Sequence, residues 1–227
     1  MDYKIDFIKF MIQSGVLTFG EFTTKSGRQT PYFINTGNYK TGSQMAKLGE
    51  FYAACIMENL RNGNIREDIS ALFGPAYKGI SISVAASIAL VNQYQKDLNY
   101  CYNRKEAKDH GEGGSMVGYK LQDGDAVLIV EDVITAGTAM RECIPILKMA
   151  AKVSIEGLVI SVDRMERGTG SKTAIQEMEE EFGIRTYPII TVKDIISYLK
   201  LLQDNGVRDY DNYIDKMEEY MKTYCVK

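Results

Sequence analysis

The spacing of apolar residues predicts helices along the chain, starting close to its first residues. Ile5, Ile8 and Met11 recur at intervals of three, and Ile12 lies four residues after Ile8, which indicates an amphipathic helix over residues 3–13. Tyrosine, isoleucine and methionine recur at the same spacing near the end of the chain and predict a packing helix over about 207–225. Between these two, helices are predicted over 43–61, 79–95, 138–150, 171–182 and 193–202.

One predicted helix, 138–150, contains Pro145. A proline inside a helix removes a backbone donor and costs roughly 3 kcal/mol. We therefore expect a kink or an early restart of the helix at that position.

Short apolar or β-branched runs alternate with these helices and predict strands. The continuous apolar run Ala126–Val130 is typical of a central strand that is buried on both faces. Residues 16–37, rich in Thr and Phe around a Ser-Gly pair, predict two short strands joined by a turn. The remaining strands are predicted at "SALFG", "NYCYNRK", "SIEGLVISVD" and "RTYPII". Alternating strands and helices indicate an α/β fold with a parallel sheet covered on both faces.

Composition limits the classes of function. The 227 residues, 45% hydrophobic, are enough for one domain, or for one domain with a small appendage. With 27 Lys and Arg against 30 Asp and Glu, the net charge of −3 provides no overall basic field, and we expect no nucleic-acid partner. The four cysteines are widely separated and do not have the spacing of zinc ligands. We expect free thiols in a reducing compartment.

Nothing in the sequence indicates secretion or a membrane. The segment "MDYKIDFIKFMIQ" mixes charged and apolar residues, unlike the apolar core of a secretory signal. The longest uncharged run, 79–95, contains several polar residues and favours a core helix over a membrane span. We therefore expect a soluble cytoplasmic protein with no membrane partner.

Two adjacent carboxylates, Glu131 and Asp132, follow the strand Ala126–Val130 directly. Ligands of open α/β sheets bind beyond the carboxyl ends of the strands. The small and hydroxylated residues at 135–139 come next, where the backbone amides at the start of a helix can bind an anion. The lysine of a nucleotide P-loop is missing, as is the pattern G-x-G-x-x-G. The segment fits a ribose 5′-phosphate, with the carboxylates on the ribose hydroxyls; the alternative is an ordinary strand-to-helix turn with two exposed acids.

The stretch "VLIVEDVITAGTA" resembles the phosphoribosyl pyrophosphate (PRPP) motif of type I phosphoribosyltransferases. Four further stretches, "KSGRQTPYFINTG", "GPAYKGI", "YNRKEAKDHGEGG" and "DRMERG", are similar to the orotate phosphoribosyltransferase family and occur in the order of that family. Together the matches extend from about Lys25 to Gly168.

This resemblance implies the type I phosphoribosyltransferase fold: a central, mostly parallel sheet flanked by helices, with a small N-terminal hood. Residues 1–227 would form a single domain, with the hood largely within residues 1–40 and an additional C-terminal helix at about 207–225. The implied reaction converts PRPP and orotate into orotidine 5′-monophosphate and pyrophosphate with Mg²⁺, a step of pyrimidine biosynthesis. The implied assembly is a homodimer with active sites shared between the subunits.

The resemblance also implies residue roles. The predicted catalytic residues are Arg104, Lys105, Lys108, His110 and Asp132. The predicted PRPP-binding residues are Tyr77, Lys78, Arg104, Lys105, Lys108, His110, Glu131, Asp132, Val133, Ile134, Thr135, Ala136, Gly137, Thr138 and Ala139. The predicted orotate-binding residues are Lys25, Phe33, Ile34, Thr135 and Arg164. We expect no direct protein ligand for Mg²⁺, which PRPP would hold, with Glu131 and Asp132 in contact through water at most.

The basic residues in the segment 104–110 suit the chemistry of this reaction. Charge grows on the pyrophosphate leaving group as the C1′–O bond breaks, and donors aimed at developing charge lower the barrier. The glycines at 111, 113 and 114 predict a mobile loop that closes over the site. A solvated charged surface is the alternative interpretation of this segment.

Two residues depart from the family pattern. Ile34 stands where a second aromatic residue is frequent, and Glu131 stands where bacterial members often have Asp.

Two other functions remain open at this point. One is a phosphoribosyltransferase for another base, such as a purine. The other is a non-catalytic PRPP-binding regulator, which we would expect to carry a basic DNA-binding segment.

Overall fold

The computed structural model describes residues 3–24, 27–108, 114–134, 137–168 and 170–226, without the side chains of 107, 108 and 114. The helices are α1 (Tyr3–Gln13), α2 (Gly42–Arg61), α3 (Lys78–Tyr94), α4 (Thr138–Ala150), α5 (Ala174–Phe182), α6 (Val192–Asp204) and α7 (Asp211–Tyr224). The strands are β1 (Leu17–Thr23), β2 (Gln29–Ile34), β3 (Ala71–Gly74), β4 (Asn99–Lys108), β5 (Gly114–Gly118), β6 (Ala126–Val130), β7 (Ser154–Asp163) and β8 (Thr186–Thr191).

Within the described ranges, the main sheet has six strands in the order β5-β4-β3-β6-β7-β8. All neighbouring pairs are parallel except β4 and β5, which are antiparallel at one edge. The prediction of a mostly parallel α/β sheet is therefore confirmed. β6 is internal to the sheet, as the continuous apolar run predicted.

Alternate residues of β6 contribute to two separate cores. Leu128 and Val130 pack into a core shared with α1, α2, α3, α6 and α7. Val127 and Ile129 pack into a second core shared with α4 and α5. Because successive strand side chains point to opposite faces, this division shows that helices cover both faces of the sheet.

A separate two-stranded antiparallel sheet, β1-β2, lies against α7. Phe19 of β1 contacts the rings of Tyr210 and Tyr213, with centroids 5.1 and 5.6 Å apart. Tyr32 of β2 meets Tyr220 edge-on at 6.2 Å. The C-terminal helix and the N-terminal hairpin thus form one packed unit beside the main sheet.

The predicted helices and strands are largely confirmed, with four differences. The strand β5 was not predicted, because its short glycine-containing sequence has little strand character. Pairing with β5 extends β4 to Lys108 instead of ending it at Lys105. α5 begins at Ala174 instead of 171, since Thr173 and Gln176 form a capping box there. The restart expected at Pro145 is wrong, because α4 continues through it.

A close backbone contact brings the start of α3 against β3 and β6. A Cβ atom added at Gly79 would lie 2.7 Å from Pro75 Cδ, 2.9 Å from Gly74 C and 3.0 Å from Val130 O. Two of these neighbours are backbone atoms that cannot rotate away. Only glycine therefore allows α3 to start this close to the two strands.

We expect Gly79→Ala to lower the free energy of unfolding by about 2 kcal/mol through overpacking, or roughly 4–8 °C in melting temperature. The matched control is Gly42→Ala at the start of α2, where an added Cβ meets nothing within 4 Å. Its melting temperature should equal or slightly exceed that of the wild type. Equal melting temperatures for the two variants would contradict the close-packing argument.

Candidate active site

The predicted site residues gather at the edge of the main sheet where its parallel strands end. Lys78 follows β3, Asp132 follows β6, and Arg164 follows β7. The carboxyl ends of parallel strands lie on the same edge, so residues far apart in the sequence meet there. The turn after β3 is fixed from the neighbouring strand, because the Ala76 amide donates to Asn103 Oδ1 at 2.9 Å.

A three-residue cluster lies at the centre of this edge. Lys78 Nζ donates to Asp132 Oδ2 at 2.7 Å and to Thr36 Oγ1 at 2.8 Å. Thr36 in turn donates to Asp132 Oδ2 at 2.7 Å. The three side chains line a cavity of about 160 Å³ whose wall includes the aromatic rings of Tyr39 and Tyr52. A cation, a carboxylate and a hydroxyl therefore converge on one small pocket.

The backbone of the acidic pair is held by two buried hydroxyl groups. Tyr52 of α2 donates to the Glu131 carbonyl at 2.6 Å. Ser161 of β7 donates to the Asp132 carbonyl from both Oγ, at 2.6 Å, and its amide, at 2.9 Å. Because Tyr52 is fully buried and Ser161 nearly so, water does not compete for these carbonyls. The chain therefore stays fixed for two residues after β6 ends.

The side chains of the acidic pair have different surroundings, because successive side chains at a strand end point to opposite faces. Asp132 faces Thr36 and Lys78. Glu131 accepts the amide hydrogen of Asp132 at 2.8 Å. On α4, burial raises the pKa of the Cys143 thiol, and the negative charge of Glu131 adds to that increase. Burial raises the pKa of the Glu131 carboxyl well above its ordinary value of 4.5, and the negative charge of Asp132 adds to the increase.

The turn between β6 and α4 is the segment that was predicted to bind an anion. Val133 donates its amide to Asp132 Oδ1 at 2.6 Å, and Ile134 follows it. Gly137 precedes α4 with a φ of 70° and makes no side-chain cap, so Thr138 and Ala139 begin the helix. The amides at an uncapped helix start can bind an anion. Thr135 and Ala136 lie outside the described residues.

The basic segment is only partly described. Arg104 and Lys105 belong to the strand β4, as the strand predicted at "NYCYNRK" indicated. Antiparallel pairing with β5 continues this strand to Lys108. Lys105 Nζ forms an ion pair with Glu142 Oε2 of α4 at 2.8 Å, so its cation lies beside α4. The Lys108 side chain and His110 lie outside the described residues.

The predicted base-binding residues form a second group. Phe33, 41% exposed, stacks on Phe22 with centroids 5.4 Å apart, and Ile34 ends β2 beside it. Arg164 lies over the Tyr32 ring at 4.8 Å. Lys25 lies outside the described residues. Tyr77 precedes Lys78 but does not line the cavity, and its side chain is 72% exposed.

Comparison with known proteins identifies the family. The phosphoribosyl transferase domain model matches residues 35–184. Orotate phosphoribosyltransferases of Clostridium beijerinckii and Clostridium acetobutylicum are 54% and 53% identical, each over 99% of both chains. The crystal structure of an orotate phosphoribosyltransferase from Francisella tularensis is 35% identical with a TM-score of 0.81, covering 97% of this chain and 99% of that one.

The chain belongs to the orotate phosphoribosyltransferase family. The resemblance on which the sequence prediction relied is thereby confirmed, as is the type I phosphoribosyltransferase fold. Among the described residues, no helix has the length and apolar character needed to cross a membrane.

Four residues that contact the predicted site residues were not among the sequence predictions. They are Thr36, Tyr52, Ser161 and Glu166. Thr36 and Glu166 lie within motifs that suggested the family, but their residue types alone do not reveal their partners. Tyr52 and Ser161 lie in regular elements whose pattern indicates burial without indicating a partner.

The raised pKa of Glu131 predicts a pH-dependent stability. Between about pH 4.5 and neutral pH the folded protein holds a proton on Glu131 that the unfolded chain has lost, so stability falls as pH rises. Glu131→Gln keeps the oxygen that accepts the Asp132 amide and abolishes this titration. We expect the variant to match the wild type near pH 4 and to exceed it in unfolding free energy by at least about 1 kcal/mol near pH 8.

Denaturant unfolding at several pH values, without PRPP or Mg²⁺, measures this difference. The control is Glu67→Gln, a change at an exposed surface glutamate. A difference between Glu131→Gln and the wild type that stays constant with pH would show that Glu131 does not titrate in this way.

Proposed function

We propose that this protein transfers the 5-phosphoribosyl group from PRPP to orotate, releasing orotidine 5′-monophosphate and pyrophosphate in pyrimidine biosynthesis. The observation that carries the proposal is the convergence of Lys78 and Thr36 on Asp132, a few residues before the chain enters α4 at Thr138. This arrangement offers a cation for a diphosphate, a carboxylate for sugar hydroxyls and helix amides for a phosphate. The names of the relatives favour orotate over another base. We place the reaction in the cytoplasm.

PRPP would lie along this edge with its 5′-phosphate at the start of α4. The amides of the segment 133–139 would bind the phosphate, and Asp132 and Glu131 would accept hydrogen bonds from the ribose hydroxyls. Lys78 and Tyr77, at the turn after β3, would contact the pyrophosphate. Since Lys78 and Asp132 are paired with each other in the structure, PRPP must exchange some of their contacts for its own.

The basic segment would stabilise the leaving group. Breaking the C1′–O bond leaves the bonding electron pair on pyrophosphate, while N1 of orotate forms the new bond to C1′ and gives up its proton, which the released pyrophosphate or water accepts. Arg104, Lys105, Lys108 and His110 would donate hydrogen bonds to this growing negative charge, where one donor is typically worth about 3 kcal/mol. Closure of the segment over the site would exclude water, which would otherwise attack C1′.

Orotate would bind near the end of β7. Its carboxylate and carbonyl groups call for positive charge and for backbone donors. Arg164, Lys25, Thr135 and the backbone of Phe33 and Ile34 would supply them. Arg164 is already oriented by the Tyr32 ring, and a planar guanidinium can both stack on a base and donate to its oxygens.

Mg²⁺ is the cofactor that we propose. It prefers oxygen ligands and keeps several waters. Glu131 and Asp132 provide carboxylate oxygens of the suitable type, but both Asp132 oxygens already accept hydrogen bonds from the protein. We therefore propose that PRPP holds the ion and that these carboxylates contact it through water. When bound, Mg²⁺ would neutralise part of the diphosphate charge.

We further propose one phosphoribosyltransferase domain over residues 1–227, with the hood in residues 1–40, that works as a homodimer. Ile88 and Val91 lie one turn apart on α3 and are 55% and 40% exposed, and Tyr100 on the neighbouring β4 is 42% exposed. Large apolar groups exposed on adjacent elements are typical of an interface with another chain. A second copy covering this face would bring the basic segment of one subunit towards the site of the other.

The reaction is tested by following orotate consumption spectrophotometrically with PRPP and Mg²⁺, together with pyrophosphate release.

We expect Asp132→Asn to raise the dissociation constant of PRPP about tenfold, because it removes a charged acceptor worth about 1.5 kcal/mol. Asp97→Asn, at an exposed surface position, is the matched control. Calorimetry that gives Asp132→Asn and the wild type the same constant would refute the ribose contact.

Shared sites are tested by mixing two inactive variants. Lys108→Ala should reduce turnover at least about a hundredfold with an unchanged melting temperature, and Arg164→Ala should impair orotate use. If Lys108 acts in the neighbouring site, subunit exchange should restore about one quarter of the wild-type activity, since half of the dimers then contain one intact site. Confirmed exchange without recovery would show that each subunit has a self-contained site.

A further inference from the structure

The C-terminal segment holds the loop that carries Arg164. After α7, the Tyr224 carbonyl accepts the Arg167 amide at 2.9 Å, and the Val226 amide donates to the Met165 carbonyl at 3.0 Å. An antiparallel bridge joins Glu166 and Cys225 between these bonds. The segment that follows β7 thus has its backbone fixed by residues about 60 positions later in the chain.

The carboxylate of Glu166 connects the side chains of this region. Glu166 Oε1 accepts Arg164 Nε at 2.8 Å and the Tyr220 hydroxyl at 2.9 Å. Its other oxygen lies 3.9 Å from Arg28 Nη1. Arg28 is itself fixed, because it donates to the Arg167 carbonyl at 3.0 Å. One carboxylate therefore receives groups from the end of β7, from α7 and from the turn before β2.

These contacts determine how the Arg164 guanidinium is presented. One face of it lies over the Tyr32 ring, and its Nε donates to Glu166 Oε1 at 2.8 Å. Its Nη2 lies 2.6 Å from the same oxygen but forms no hydrogen bond with any described residue. A guanidinium is planar with five donors, so a ring on one face and a carboxylate on one edge fix its orientation. The remaining donors are then directed away from Glu166.

We propose that Tyr220 is a positioning residue for orotate, acting through Glu166 on Arg164. This inference rests on the proposed function, because it takes Arg164 as the group that binds orotate. The Tyr220 hydroxyl holds the Glu166 carboxylate in the rotamer that meets Arg164. Without that hydroxyl the carboxylate samples other rotamers, and the guanidinium loses its fixed orientation. The C-terminal helix thereby contributes to base recognition as well as to the fold.

The test is Tyr220→Phe, which removes the hydroxyl and keeps the ring that packs on Tyr32 and Tyr224. We expect the KM for orotate to rise roughly fivefold, as expected for one lost hydrogen bond of about 1 kcal/mol. The KM for PRPP and the turnover number should stay close to wild type, because the change affects the group that binds orotate. The melting temperature should fall by no more than a few degrees, because the Tyr220–Glu166 hydrogen bond is also present without orotate.

The matched control is Tyr213→Phe, two helical turns earlier on α7, where the ring packs on Phe19. It should leave both KM values unchanged. A double-mutant cycle then tests the route: in a Glu166→Ala background, Tyr220→Phe should change the orotate KM by less than about twofold.

An unchanged orotate KM in Tyr220→Phe, or equal increases in the KM values for orotate and PRPP, would overturn the proposal. The same fivefold increase with and without Glu166 would overturn the route through that carboxylate. Failure of the proposed function has a different signature, since the wild-type protein itself would then not consume orotate.

Discussion

The site depends on how the chain is held just after β6 ends. Two carbonyl groups there, of Glu131 and Asp132, have left the regular strand and need donors in a region without water. Tyr52 from α2 and Ser161 from β7 supply them. With the backbone fixed in this way, the Asp132 carboxylate faces Lys78 and Thr36, and α4 begins a few residues later at Thr138.

Two structural units meet at Asp132. Lys78 belongs to the main sheet, because α3 begins against β3 and β6. Thr36 follows the β1-β2 hairpin, which packs on α7 instead of on the sheet. Their shared contact with one carboxylate joins the hairpin unit to the sheet at the proposed ligand site. The same hairpin unit holds Arg164 through Tyr32, so the proposed sugar and base positions are fixed relative to each other.

Much of the fold could be predicted from local patterns. The period of apolar residues located the helices to within a few positions, and the run Ala126–Val130 correctly indicated an internal strand. The wrong predictions concern segments whose structure is decided by contacts with other parts of the chain. β5 forms because β4 offers an unpaired edge, although its own sequence favours no strand. α4 continues through Pro145 because one face of that helix is buried in a core, which compensates for a lost backbone bond.

The sequence by itself determined the sheet, the position of the acidic pair at a strand end and the family, since each depends on residues that are contiguous or regularly spaced. Only the tertiary structure decided which groups hold them. Thr36 reaches Asp132 across 96 positions, and Tyr220 reaches Glu166 across 54. Contacts between such distant segments produce no periodic pattern in the sequence. The residues on either side of a hydroxyl or a carboxylate group do not depend on the partner that it contacts in the fold. Their partners follow from how helices and hairpin pack around the sheet, which is a property of the whole chain.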